Sequence, residues 1–363
     1  MSQDVILLVG GRSTEHDASL HSYAHLVPAL LADRELKVTA VVYIDPEGGR
    51  WRHDAVPGDI SALCDRSAAQ PLTPAALLEL LGSGPSVFSL LFGTEGEDGA
   101  WQGVGEVFDL PGSFGPVSAA AVSMHKLAFS AAAVALEPRL SRPDSWLIRA
   151  DDPRHGPANA LAALNGRPCV VKPNSMGASL LTTYLAEPDL ASLTEAVGEI
   201  SGYDTFALVQ EYIEGEEYTV GVFEDAEGPH ILPIARAQTA SPLLGHAEKH
   251  RNGLVRVEFT DENSTVGKTL ADICLRTYRL MGFRLWCRFD LIWDRHRDRP
   301  VILEANSMPG LMRGSIYPVM LERAGHSLAD LVRAGVGAHG RTGPAKVLRY
   351  DIEPHTVPSL HES

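Results

Sequence analysis

Apolar residues run unbroken through Val5-Ile6-Leu7-Leu8-Val9 and stop at Gly10-Gly11. Five apolar residues without polar alternation predict a strand buried on both faces, the habit of a parallel sheet, and the two glycines predict a tight turn at its end. Residues 38–43 and 87–92 form a second and a third such run, the latter also meeting a glycine. Between the first two lies an amphipathic stretch, residues 17–32, that predicts a helix. Strand, helix and strand in that order predict a parallel α/β layer over residues 1–122.

The pattern changes further along. Residues 170–172 and 180–184 predict two strands flanking the loop 173–179, and residues 206–212 and 217–223 predict a hairpin joined through Gly215. Residues 261–281 have helical period, with Leu270, Ile273, Cys274, Thr277 and Tyr278 on one face. A second hairpin is predicted from 285–293, the polar turn 294–299 and 301–305. The stretch 338–363, rich in glycine, proline and histidine, predicts a weakly ordered tail. There is no internal repeat and no low-complexity block.

The second hairpin carries the strongest chemical signal. Residues two apart in a strand share a face. Arg288 and Asp290 therefore point one way, as do Glu304 and Asn306. A turn centred near Arg297 sets Asp290 opposite Glu304, so four polar groups converge while Phe289, Leu291 and Ala305 face packing. Two carboxylates and an amide oxygen form a hard-oxygen site of the kind Mg²⁺ prefers, with water or phosphate completing its shell. The competing reading is a surface ion-pair cluster around Arg288, which so apolar a strand disfavours. The loop 306–310 that follows suits a site, because loops at strand ends carry function.

Composition narrows the classes. The chain of 363 residues has room for two or three domains, and 45% apolar with 21% charged residues is ordinary globular composition. A net charge of −15 disfavours nucleic-acid binding, which needs clustered Lys and Arg. No apolar run approaches the ~20 residues of a membrane span, and the opening MSQDVILLVGGR lacks a basic leader, so neither a membrane nor secretion is expected. Cys64, Cys169, Cys274 and Cys287 are scattered without a CxxC pair and fit small buried residues in a reducing cytoplasm. Gly10-Gly11 does not spell GxGxxG, which disfavours a dinucleotide-binding domain. Six of the 31 basic residues are lysines, so a lysine placed in a motif is less easily accidental.

The string from Cys287-Arg-Phe-Asp through Glu304-Ala-Asn-Ser-Met-Pro-Gly310 to Gly314-Ser315-Ile316-Tyr-Pro318 resembles the closing segment of the D-alanine–D-alanine ligases of the ATP-grasp superfamily. Gly10-Gly-Arg-Ser-Thr-Glu15-His-Asp-Ala-Ser19, Glu95-Gly-Glu97-Asp98-Gly99-Ala-Trp-Gln102-Gly103 and Ser123-Met-His-Lys126 resemble that family's other signatures, in order, from about residue 4 to 335. The resemblance implies three α/β domains: an N-terminal parallel-sheet domain (1–122), a small lid domain (123–205) and a large catalytic domain (206–335), with a tail (336–363). It implies ATP and Mg²⁺, two ions with Mn²⁺ as a substitute, held by Asp290, Glu304 and Asn306. Lys126, Lys172 and Lys249 match phosphate-gripping lysines, with Ser179 beside them. Gln210-Glu211-Tyr212-Ile213 resembles the segment whose main chain pairs with adenine, and Glu217 the ribose carboxylate; Glu214, Glu216 and Glu217 could also be a solvated acidic turn. Arg288 matches the arginine that stabilises the tetrahedral intermediate. Gly310, Ser315 and Ile316 match the site for the attacking amino acid's carboxylate, although Ser315 also suits a helix N-cap. Glu15 matches the partner of the first amino acid's ammonium, although it could cap the next helix.

The departures cluster in one subsite. Phe92 stands where the family usually has histidine, Ala178 where it has serine, Leu181 where it has glycine, and His250 where it has tyrosine after the loop lysine. The expectation is therefore an ATP-dependent carboxylate–amine ligase acting through an acyl phosphate on a donor larger or more apolar than D-alanine. The alternatives are a D-alanine–D-alanine ligase proper and a non-catalytic nucleotide-binding partner. Loop 241–254 is expected to close over the reaction. Small-molecule substrates, a cytoplasmic homodimer and neither nucleic-acid nor membrane partners complete the expectation.

Overall fold

The computed structural model describes residues 2–151, 155–239 and 255–337. Three sheets organise it. The first contains β1 (Gln3–Gly10), β2 (Leu36–Ile44), β3 (Arg50–His53), β4 (Gln70–Pro71) and β5 (Ser86–Ser89), in the order β4-β3-β2-β1-β5. Strand β1 is parallel to both neighbours, β2 and β5. Its burial on both faces is complete: Val5, Leu7 and Val9 join one core with Tyr23, Leu26 and Leu30, while Ile6 and Leu8 join another with Leu77, Leu81 and Phe114. Each such side chain is worth about 1.5–3 kcal/mol when fully buried. Helix α1 (His16–Ala32) crosses from β1 to β2, as the α/β pattern requires.

The second sheet contains β6 (Ser145–Arg149), β7 (Cys169–Pro173), β8 (Thr183–Leu185) and β9 (Phe206–Glu211), ordered β6-β9-β7-β8 and antiparallel throughout. The third contains β10 (Gly215–Asp225), β11 (Gly228–Ile231), β12 (Ala235–Thr239), β13 (Val255–Phe259), β14 (Trp286–Asp294) and β15 (Arg299–Asn306). Its order is β13-β12-β10-β14-β15, with β11 also paired to β10. Helix α2 (Lys126–Leu136) and helix α3 (Thr265–Met281) pack on this third sheet, where Phe129 stacks on Phe289 and Leu270 and Ile273 enter the same core. Helices α4 (Ile316–Arg323) and α5 (Leu328–Gly337) join the third sheet to the first, since Tyr317, Met320 and Val332 share a core with Val5 and Trp286.

One expected strand pairing is corrected. The hairpin expected from 206–212 and 217–223 does not form: β9 pairs with β6 and β7, and β10 with β12 and β14. Both runs are apolar and β-branched, and that composition fits either partner equally. Helix α2 lies on the third sheet, and β9 belongs to the second. The chain passes between these sheets in three residues, Tyr212-Ile213-Glu214. The strand expected to reach Phe92 ends at Ser89, and the helix expected from residue 261 begins at Thr265, where Ser264 Oγ accepts from Gly267 N. The tail 338–363, the loop 241–254, Lys249 and His250 lie outside the described residues.

Candidate active site

The β14–β15 hairpin has the expected register, with Arg288 opposite Asn306 and Asp290 opposite Glu304. Alternation holds on its other face, where Phe289, Leu291 and Ala305 are buried. Arg288 Nη2 donates to Asp290 Oδ2 at 2.8 Å, and Thr219 Oγ1, from the opposite strand β10, donates to Asp290 Oδ1 at 2.9 Å. Lys126 Nζ lies 3.5 Å from Glu304 Oε2 and also donates to the Met176 carbonyl. Each acid of the pair therefore faces one cation. Burial works against the charge of Arg288, but Asp290, Glu304 and Glu97 together hold its pKa above the ordinary guanidinium value.

Lys126 comes from the N-terminus of α2, whose first turn is tied to the lid loop: Lys126 N donates to the Asn174 carbonyl at 3.0 Å and Leu127 N to Asn174 Oδ1 at 3.2 Å. Lys172 lies on β7 next to Val171, which points into the small core, so alternation turns Lys172 to the opposite face. Glu217 is two residues before Thr219 on β10 and shares its face, the face of Asp290. Glu214 and Glu216 pair instead with Arg295 and Arg236, as a solvated acidic turn would. Glu211 is absorbed by Arg167 and Arg297, and Gln210 donates to Ser145, while Glu211 N and Tyr212 N donate to the carbonyls of Asp144 and Pro168.

Glu15 occupies the N-cap position of α1 and Ser315 that of α4, yet neither side chain makes a capping hydrogen bond. The ~1 kcal/mol that a cap contributes goes unused at both helices. Glu15 is turned instead toward Gly177 of the lid loop, packed so closely that a Cβ on Gly177 would stand 2.2 Å from Glu15 Oε1. Burial raises the Glu15 pKa, Lys126 and Arg288 oppose that rise, and Glu304 adds to it. Ser315 Oγ lies 4.0 Å from the position of a Cβ on Gly310, so these two residues face a common space.

Glu97, within the second signature, is buried more deeply than the acids matched to roles by the resemblance. Its two oxygens accept from Gly93 N at 2.7 Å and Met308 N at 3.2 Å. Burial, with Glu15 nearby, pushes its pKa up to about 8. Thr219 was also missed, because its place opposite Asp290 comes from the pairing of β10 with β14, which the sequence does not show.

Phe92 requires a correction. It was expected to line the donor pocket, but it is only 2% exposed and belongs to the core with Leu20, Leu90, Met308 and Leu311. An aromatic ring gains more from that core than from a polar cleft. Ala178, Ser179 and Leu181 all adopt left-handed backbone, φ 53° to 54°, which costs non-glycine residues about 1 kcal/mol each and marks the lid loop as strained.

Asp290 and Glu304 on facing register positions, with Asn306 beside Glu304 on the strand, fit a divalent cation that keeps water or phosphate oxygens in its remaining positions. Among the described residues no group of three or more His, Cys, Asp or Glu by itself could hold a metal ion. No single described helix is long and apolar enough to cross a membrane.

Comparison with known proteins bears on the same elements. The family model for the D-ala D-ala ligase N-terminus matches residues 4–113, and that for the D-ala D-ala ligase C-terminus matches 145–336. The D-alanine–D-alanine ligase of Nitrosomonas europaea is 30% identical over 90% of this chain and 94% of its own length. That of Desulforudis audaxviator is 32% identical over 92% and 97%. Among solved structures, the VanG D-Ala:D-Ser ligase from Enterococcus faecalis superposes with TM-score 0.75 at 21% identity, covering 93% of this chain and 99% of that one. The D-alanine–D-alanine ligase from Coxiella burnetii superposes with 0.73 at 23%, covering 93% and 96%; both share the fold. With both halves matched, the chain belongs to the D-alanine–D-alanine ligase family, ATP-grasp enzymes that form carbon–nitrogen bonds and release ADP.

Proposed function

We propose that this chain activates D-alanine with ATP and joins it to the amine of a second D-amino acid. The observation that carries the reading is the single face on which Arg288, Asp290, Glu304 and Asn306 are held in register, with Glu15 close enough to Arg288 and Glu304 to feel their charge. The donor carboxylate oxygen takes the γ-phosphoryl group and ADP leaves. The acceptor amine then attacks the acyl carbonyl, and inorganic phosphate departs with the C–O bond. Arg288 stands where the carbonyl oxygen gains charge, a term of several kcal/mol in a dry site. Lys126, Lys172 and Lys249, with Ser179, hold phosphates. The main chain of 210–213 takes adenine and Glu217 the ribose. Asp290, Glu304 and Asn306 would hold Mg²⁺, which when bound neutralises phosphate charge. Glu15 orients the donor ammonium, and Gly310, Ser315 and Ile316 the acceptor carboxylate.

A small donor is supported by the relatives, which are named as D-alanine–D-alanine ligases. A second reading, a larger or more apolar donor, rests on Ala178 and His250, where the family carries hydroxyl groups; burial of Phe92 removes its third support. A cytoplasmic homodimer is part of the proposal, supported by the need for ATP, by four free cysteines and by the family resemblance. The test is an ADP-release screen over D- and L-amino acids and apolar acids, with mass spectrometry of products. Fastest release with D-alanine alone supports the first reading, fastest release with an apolar acid the second. No release with any pair makes the chain a non-catalytic nucleotide binder.

A further inference from the structure

The loop between β15 and α4 carries Gly310 and Ser315, and its main chain is held by side chains far away in sequence. Leu311 is 2% exposed and packed in the core between the first and third sheets, so its amide needs protein partners. Leu311 N donates to Ser22 Oγ at 3.2 Å, and the Leu311 carbonyl lies 2.8 Å from His25 Nδ1. A carbonyl can only accept, so Nδ1 is the donor. Ser22 and His25 are three residues apart on α1 and share one face of it. Glu97 holds Met308 of the same loop from a second direction. Gly310 is thus fixed between two anchored residues, and the turn closes where Ser315 N donates to the Met312 carbonyl at 3.0 Å.

We infer that His25, together with Ser22, is a positioning pair for the acceptor subsite, holding the Gly310–Ser315 turn at a set distance from the donor site. The same helix begins at Glu15. Ten residues of helix separate Glu15 from His25, about 15 Å. One rigid element therefore spaces the residue facing the donor ammonium from the loop facing the acceptor carboxylate. The inference deepens the proposed function and rests on its assignment of Gly310 and Ser315.

The test uses the full chain with His25→Ala and His25→Asn, since the asparagine amide nitrogen can donate from about the place of Nδ1. Donor activation is read separately by trapping the acyl phosphate with hydroxylamine. His25→Ala is expected to raise the acceptor KM about tenfold, the value of roughly one hydrogen bond. The KM for ATP and hydroxamate formation should stay within about twofold, and His25→Asn should recover most of the loss. An unchanged acceptor KM, or a parallel fall of both half-reactions without rescue by asparagine, overturns it. Hydrogen exchange at the amides of 308–315 decides the matter without turnover: it should quicken in His25→Ala and return in His25→Asn, and unchanged exchange refutes the clamp. Wild-type protein that activates no amino acid would sink the proposed function while the exchange result still stands.

Discussion

The β14–β15 hairpin and the loop after β7 meet at Glu304, Lys126 and Met176, yet they are built by opposite means. On the hairpin, two paired strands with one register shift after Asp290 place Arg288, Asp290, Glu304 and Asn306 by alternation, and the acids are matched by fixed cations. On the lid side, position comes from left-handed turns at Ala178, Ser179 and Leu181 and from a glycine pressed against Glu15. A site on strands inherits its geometry from the sheet. A site on such a loop holds its geometry only while each contact persists, and substrate choice can drift there without harm to the chemistry.

The sharpest way to break this contrast is Arg288→Ala. If the hairpin does the chemistry, kcat falls about 10³-fold, ~4 kcal/mol, with far-ultraviolet circular dichroism unchanged; a loss below tenfold would separate the hairpin from catalysis. Gly177→Ala comes next. Its methyl group would overlap Glu15 Oε1, so donor-dependent kcat/KM should fall about 30-fold, ~2 kcal/mol, while the KM for ATP holds steady.

Glu97→Gln tests the floor shared by both regions. Glu97 is raised from 4.5 to about 8, so the folded chain keeps a proton that the unfolded chain gives up. That contribution is complete below pH 4.5 and is lost as pH climbs toward 8, with a slope of at most ~1.4 kcal/mol per pH unit. Between these limits the melting temperature of the wild type should drop relative to that of Glu97→Gln, and parallel curves would refute the shift. The smallest expected effect is Ala178→Ser, which restores a hydroxyl the family carries. It should lower the donor KM about threefold, ~0.6 kcal/mol, as measured by hydroxamate formation; no change would place Ala178 outside the donor pocket.

Legibility in the sequence followed the same divide. The pairing of Asp290 with Glu304 could be read from period two and the position of one turn, and β1 from five apolar residues in a row. Partner choice could not be read: the run at 206–211 looks like any hairpin strand, and only packing against Ile148 and Val171 sends it to the second sheet. Phe92 misled because sequence shows which residue replaces a histidine but not that its ring turns inward. Glu97, Ser22 and His25 were hidden because their partners are main-chain groups more than 200 residues away, or in a loop with no period.

The register of β14 against β15 shifts once, between Asp290 and Leu291. Beyond that bulge the strands can gain or lose length at the turn formed by residues 295–298 while the acids stay paired. On the other side, deleting a single residue from 286–290 would carry Arg288 or Asp290 through the sheet and bring Phe289 out in its place. The tip of this ribbon can therefore change length without unpairing the acids, whereas its base admits neither insertion nor loss.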